Sequence, residues 1–148
     1  MISNKANGMD FSRRKTKQRG MVLEAVGELD HPTAKETYEH ITNAASRFLK
    51  ENISLGTIYR NLQVLEDEGK IIAVSCQDAV RYDVRVEDHY HILCVKCGRV
   101  MDMPVAYKHD LDLEAEERGG GMIESHSILF RGVCAECSAR PNPAVSRE

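Results

Sequence analysis

The sequence predicts an α+β protein of two units, and three observations carry that reading. Helical periodicity recurs three times within the first 70 residues. Two β-prone runs around a polar turn follow. Beyond residue 88, short strand-like runs are bracketed by two CxxC pairs. The 148 residues are 42% hydrophobic and 29% charged, enough apolar material for a packed core. No apolar run approaches the ~18 residues that span a bilayer, and the N-terminus lacks the apolar stretch of a signal peptide. The expectation is a cytoplasmic protein with no membrane partner. Its five cysteines would then stay reduced and be available as metal ligands.

Taken in order, residues 1–10 read as frayed. Residues 16–29 read as a first helix with Val22, Ala25, Val26 and Leu29 on one face. His31 and Pro32 break it. Thr33 opens a second helix, and Glu36 three residues on completes a capping box. Ala34, Tyr38, Ile41 and Ala45 form its apolar stripe, and residues 46–52 read as a polar loop. Ser54 caps a third helix over 55–68, in which Leu55, Ile58, Leu62 and Leu65 face inward. Gly69 supplies the left-handed residue that ends it. Runs 71–75 and 80–84 then flank Gln77 and Asp78 as a hairpin.

Three short helices and a hairpin describe a winged helix-turn-helix DNA-binding domain over residues 1–84, with the third helix as reader. Its outward positions, Thr57, Tyr59, Arg60, Asn61 and Gln63, carry donors and acceptors suited to base edges and phosphates. Arg13, Arg14, Lys15, Lys17 and Arg19 form a positive run with no acid between them. Such a run gains affinity for double-stranded DNA by releasing counterions. The chain as a whole is not basic. Residues 1–84 carry 12 basic and 12 acidic side chains, and residues 85–148 carry 8 and 11. That excludes a general basic coat and leaves a local patch.

Residues 85–88 read as a linker, residues 89–138 as a small α/β unit and residues 139–148 as a disordered tail. Within the unit, 91–95 and 99–103 are strand candidates. Residues 104–118 are acidic and helix-prone but poorly periodic, the glycines at 119–121 break that segment, and 122–133 read as one longer strand. A unit of this size struggles to build a core alone, so a structural metal or a dimer interface would support it.

Cys94 with Cys97, and Cys134 with Cys137, are two CxxC pairs separated by 36 residues. Four thiolates complete a tetrahedral Zn2+ site with no open position, which makes it structural. A redox pair would need only one such motif. Cys76 in the hairpin reads as a plain thiol. His89 and His91 stand at i and i+2, so on an extended segment both imidazoles point to one side and invite a metal. His31, Asp83 and Asp102 are further candidate donors at the unit boundaries.

The stretches TKQR at 16–19, HPTAKETY at 31–38, SLGTIYRNLQVLEDEGKI at 54–71, RYD at 81–83, DHYHILCVKCGRVMD at 88–102 and ESHSILFRGVCAEC at 124–137 resemble the ferric uptake regulator superfamily of bacterial metal-dependent repressors. The resemblance covers about residues 10–138. It implies a homodimer that binds operator DNA and has no enzymatic activity, with residues 89–138 as dimerisation and metal-binding domain. His31, Asp83, His89, His91 and Asp102 resemble the regulatory site of the peroxide-sensing branch, which holds Fe2+ or Mn2+. In that branch, peroxide converts a ligating imidazole to 2-oxo-histidine and the metal is released. Iron-uptake members more often carry Glu where Asp102 stands, and a richer histidine and acid run where Tyr90 stands. An iron-responsive repressor of the same fold is the alternative. His126 matches a family histidine, as a ligand or as a hydrogen-bonding residue. His40 and His109 fall outside the motifs and read as surface residues.

Overall fold

The computed structural model describes residues 6–48 and 52–140, and the side chains of 12–44 and 52–140. The expectations for residues 1–5, for 49–51, for the tail at 141–148 and for the side chain of Ala45 lie outside those residues. The chain divides into two compact units, Met1–Val86 and Glu87–Glu148. Among the described residues, no helix is long and apolar enough to cross a membrane.

The first unit contains helices α1 (Ala6–Glu28), α2 (Ala34–Phe48) and α3 (Leu55–Asp67), then strands β1 (Ile72–Ser75) and β2 (Val80–Asp83). Helix α1 starts ten residues before the expected position, so residues 6–10 are helical and not frayed. Met, Arg, Lys and Gln are good helix formers, and no proline interrupts them. This stretch has no apolar stripe, so periodicity was silent about it. Helix α2 likewise continues through Phe48 into the expected loop, again with no Gly or Pro to stop it. The capping box forms: the Thr33 amide donates to Glu36 Oε2 at 2.8 Å, and the Glu36 amide donates to Thr33 Oγ1 at 3.1 Å. Ser54 caps α3 by accepting from the Thr57 amide. Gly69 follows that helix at φ +69°, where a side chain would be strained. Strands β1 and β2 pair antiparallel from Ile72 opposite Asp83 to Ser75 opposite Val80. The Cys76 amide donates to the Ala79 carbonyl at 2.8 Å and closes the turn.

The core of this unit is Val22, Ala25, Val26, Ala34, Ile41, Ile53, Ile58, Leu62, Leu65, Ile71 and Tyr82. Each such aliphatic side chain contributes about 1.5–3 kcal/mol when fully buried. Leu55 departs from expectation. It lies in the first turn of α3 and is 37% exposed.

The second unit contains β3 (Tyr90–Cys94), β4 (Val100–Met103), α4 (His109–Gly119), β5 (Leu129–Gly132) and α5 (Ala135–Ala139). Its sheet has the order β4-β3-β5, with β4 antiparallel and β5 parallel to β3. Gly120 ends α4 in the left-handed region at φ +69°. The long strand expected over 122–133 is a short one. Residues 122–128 are irregular, and side chains take two of their amides. The Ile123 amide donates to Glu116 Oε1 at 2.8 Å and the His126 amide to Tyr107 Oη at 2.9 Å. Ala139, expected in the tail, closes α5.

Candidate metal centres and nucleic-acid interface

In the second unit the two CxxC turns meet. Cys94 ends β3, Gly98 at φ +74° lets the chain double back towards β4, and Cys134 is the N-cap of α5. The four sulfurs all lie within 4.8 Å of one another, and Cys97 Sγ is 3.9 Å from Cys134 Sγ. Four sulfurs around zinc at ~2.3 Å stand ~3.8 Å apart, so the spacing fits that ion. The electrostatics fit as well. The amides of Cys134 and Cys97 point at Cys94 Sγ, at 3.3 and 3.5 Å. They bring its thiol down to about 6 against the opposing effect of burial. The Cys137 amide lowers Cys134 in the same way. Cys137 itself is pushed up to about 12, chiefly by its bond to Cys134 and by burial. Four sulfurs this close cannot all ionise unless a cation sits among them. Arg99 adds a clip between the two turns by donating to Glu136 Oε2 at 2.7 Å.

His91 lies in β3 directly opposite Asp102 in β4. Its Nε2 is 3.5 Å from Asp102 Oδ1. His89, two residues earlier, puts its Nε2 3.1 Å from the same oxygen, and the two imidazole centroids are 4.3 Å apart. His89 Nδ1 is held by the Glu87 carbonyl at 2.6 Å, which leaves Nε2 as the metal-facing nitrogen. Strand alternation thus brings two imidazoles and a carboxylate together.

The first unit brings together one imidazole and one carboxylate. His31 Nε2 is 3.1 Å from Asp83 Oδ2, and both residues are buried. His31 adopts φ +50°, the left-handed region, at a cost of about 1–2 kcal/mol for a residue with a side chain. Neighbours hold it there. Arg81 Nη1 donates to its carbonyl at 2.8 Å, and its Nδ1 is 2.7 Å from Asp30 Oδ1. Burial opposes charge on this imidazole, but the bonds to Asp83 and Asp30 outweigh it and raise its pKa to about 9.

The expected DNA contacts divide. Tyr59, Arg60 and Gln63 are exposed on α3, and Gln63 donates to Asp67 Oδ1 at 2.9 Å. Asn61 is not outward: it is 7% exposed and donates to the Thr57 carbonyl at 3.0 Å. Its place four residues from Thr57, between Ile58 and Leu62, puts it on the core side of the helix. Thr57 is half-buried, and its hydroxyl accepts from Arg60 Nη2 at 3.1 Å. A cavity of about 460 Å³ between α1 and α3 is lined by Arg14, Lys15, Arg19 and Arg60, with no acid among its lining residues. Arg19 Nε is buried without a hydrogen-bond partner among the described residues, while its Nη1 lies 3.7 Å from Glu68 Oε1. Arg13 and Lys17 are exposed outside the cavity.

Tyr90 and two residues that the sequence did not single out, Tyr107 and Asp112, stand beside His126. Its ring bonds Tyr90 and Asp112, and its amide donates to Tyr107. Burial opposes ionisation of Asp112, yet the bonds from His126 and Tyr107 lower its pKa. His126 is thus a hydrogen-bonding residue in this structure. His40 is partly exposed, 2.7 Å from Glu28, and His109 is exposed beside Tyr107. Cys76 is half-buried on the hairpin, and burial raises its thiol pKa.

Residues 11–131 match the model of the Ferric uptake regulator family. The chain belongs to that family. It is 32% identical over 131 residues to the Peroxide operon regulator of Bacillus subtilis, covering 87% of each protein. Identity is also 32% over 126 residues with the Peroxide-responsive repressor PerR of Staphylococcus aureus, covering 84% of this chain and 82% of the relative. Among solved structures, the Campylobacter jejuni peroxide stress regulator superposes with a TM-score of 0.71 at 25% identity. That match covers 92% of this chain and all 100% of the other. The Helicobacter pylori ferric uptake regulator superposes at 0.68 and 23% identity, over 92% and 93% of the two chains, and supports the fold alone. The chain is a regulator of this family and not an enzyme, as the motifs implied.

Proposed function

We propose that this ferric uptake regulator family member is a metal-dependent repressor that binds double-stranded operator DNA as a homodimer and loses that binding when peroxide oxidises a ligating histidine. The observation that carries the reading is the donor chemistry. His89, His91 and Asp102 converge in one unit, and His31 and Asp83 in the other. Three imidazole nitrogens and two carboxylate oxygens suit Fe2+ or Mn2+. The cysteine cluster suits Zn2+ as a structural ion. The relatives named for peroxide response support the branch.

In this reading residues 1–84 read DNA, residues 89–138 dimerise, and all five donors share one ion. His31 and Asp83 then belong to the DNA-binding unit, and His89, His91 and Asp102 to the other. Occupancy would couple the two units. The favoured arrangement must bind metal better by about 5.5 kcal/mol for a near-complete switch. Held by His31, Asp83, His89, His91 and Asp102, Fe2+ would supply the electrons that reduce hydrogen peroxide beside the imidazoles, whereas Mn2+ would react poorly and leave a peroxide-blind repressor. An imidazole that gains an oxygen at its ring carbon loses basicity at the ligating nitrogen. Tyr59, Arg60 and Gln63 would face base edges. Arg14, Lys15 and Arg19, with Arg13 and Lys17 beside them, would face phosphates. A C2 dimer presents two reading helices to successive major grooves. Leu111, Leu113, Met122 and Ile123 are exposed in the single chain, as residues covered by a second copy would be.

The test is to load the protein with Fe2+ without oxygen, add hydrogen peroxide, and follow operator binding and peptide mass. We expect one added oxygen atom on peptides containing His31, His89 or His91, with loss of DNA binding. Retained metal and unmodified histidines would overturn the peroxide reading in favour of an iron-responsive repressor.

A further inference from the structure

Tyr90 stands between His89 and His91, and it is the largest of the fully buried side chains among the described residues, at 1% exposure. Strand alternation sends it to the face opposite the two imidazoles. There its hydroxyl accepts from the Lys108 amide at 3.0 Å and lies 2.7 Å from His126 Nε2. His126 Nδ1 is 2.6 Å from Asp112 Oδ1. Tyr107 donates to Asp112 Oδ2 at 2.7 Å and accepts from the His126 amide at 2.9 Å. The Tyr107 ring stacks on His126 with centroids 4.3 Å apart.

One proton assignment satisfies the whole set. His126 Nδ1–H donates to Asp112, and the Tyr90 hydroxyl, already accepting from Lys108, donates to His126 Nε2. Both carboxylate oxygens, both ring nitrogens and both phenols then have partners. The set joins β3 to the start of α4, through Lys108 and Asp112, and to the irregular segment before β5, through His126. None of its members belongs to the sulfur cluster or to the His/Asp donor sets.

We infer that Tyr90, anchored by His126 and the Lys108 amide, is a positioning residue for the regulatory ion. This rests on the reading that His89 and His91 bind that ion. The two imidazoles are the immediate sequence neighbours of a side chain that is bonded at two points and enclosed. Any rotation of the strand at Tyr90 would swing both imidazoles together. A buried polar set with every member satisfied is rigid, and groups that orient metal ligands without touching the metal commonly change affinity 10- to 100-fold when removed. Without the phenol oxygen, His126 Nε2 and the Lys108 amide lose their partner and the strand loses its fixed point. His89 and His91 would then have to be ordered by the ion itself.

The test uses the full-length, zinc-loaded protein, with Mn2+ affinity from the electron paramagnetic resonance signal of free Mn2+ and with the visible spectrum of Co2+ at the same site. Tyr90→Phe is expected to lower Mn2+ affinity about tenfold or more and to alter the Co2+ bands, with zinc content unchanged. His126→Gln, which can still accept from Tyr90 but loses the link to Asp112, is expected to lower affinity less. It also serves if Tyr90→Phe does not fold. Val100→Ala weakens the same sheet at a buried residue outside the network. It is expected to lower stability and leave both metal readouts unchanged. Equal losses in Val100→Ala and Tyr90→Phe would reduce Tyr90 to a stability role and overturn the inference. So would unchanged affinity and spectrum in the Tyr90 and His126 variants while His91→Ala abolishes Mn2+ binding. If His91→Ala also leaves Mn2+ binding intact, the ion reading falls and takes this inference with it.

Discussion

The two units are held together by different means. The first buries a continuous set of aliphatic side chains from three helices and the hairpin, with Val22, Ile58 and Leu62 at 0% exposure. The second buries little that is aliphatic. Among its described residues the buried hydrophobic side chains are Tyr90, Cys94, Val100 and Cys134, two of which are cysteines of the sulfur cluster. Its order comes instead from a polar set around Asp112 and His126 and from the convergence of two cysteine turns. A short segment that cannot bury enough apolar surface needs a staple. One chain is thus ordered in one unit by aliphatic burial and in the other by a polar set and converging cysteines, and the two units should fail under different insults.

The largest expected effect breaks the second unit alone. Cys134→Ser, or zinc removal by a chelator, should unfold residues 87–140 and leave the three-helix core protected. Binding energy at such sites is folding energy, about 10–16 kcal/mol in isolated zinc-dependent peptides. Hydrogen exchange read by mass spectrometry would show fast exchange confined to β3, β4 and β5. Uniform loss of protection in both units would erase the distinction.

The reciprocal perturbation is smaller. Leu62→Ala removes a fully buried side chain from the first unit and should lower its stability by about 2–5 kcal/mol. Zinc content should not change. Denaturant melts followed separately for each unit would check both statements.

The smallest effect concerns function on the surface of the first unit. Arg60→Ala should weaken operator binding by about 1–3 kcal/mol at fixed salt if the guanidinium contacts a base bidentately. Dimerisation and metal content should not move, because Arg60 is exposed and donates to Thr57 on its own helix. Fluorescence anisotropy with a labelled operator would measure it.

The first unit was readable because its elements carry local signals. The Thr33 and Glu36 capping box, the Ser54 cap, Gly69 and the period of Ile58, Leu62 and Leu65 each fix a boundary or a face within a few residues. Asn61 departs from the outward position that its polarity suggests. Its amide instead satisfies a carbonyl of its own helix while buried. The second unit was readable where spacing carries chemistry, in the cysteine pairs and in the i, i+2 histidines. It was opaque where order depends on contacts between distant residues. Asp112 is the buried residue of α4, and a helix whose inward face is a carboxylate shows no apolar period. The same network takes the amide of His126, and the β-prone residues at 122–128 form no strand. Tyr90 was in plain view between two candidate ligands, and the alternation that put the imidazoles on one side also predicts an inward phenol.

In the proposed reading one ion would take donors from both units, and Mn2+ titration of the zinc-loaded protein tests that most directly. The wild-type chain should take up one regulatory Mn2+ in addition to zinc. His31→Ala removes a donor from the first unit and His91→Ala one from the second. Each should cost most of the affinity, and the double variant should cost markedly less than the two losses combined, because both act on the same ion. Undiminished Mn2+ binding in His31→Ala, with binding lost in His91→Ala, would place the ion in the second unit alone and contradict the account.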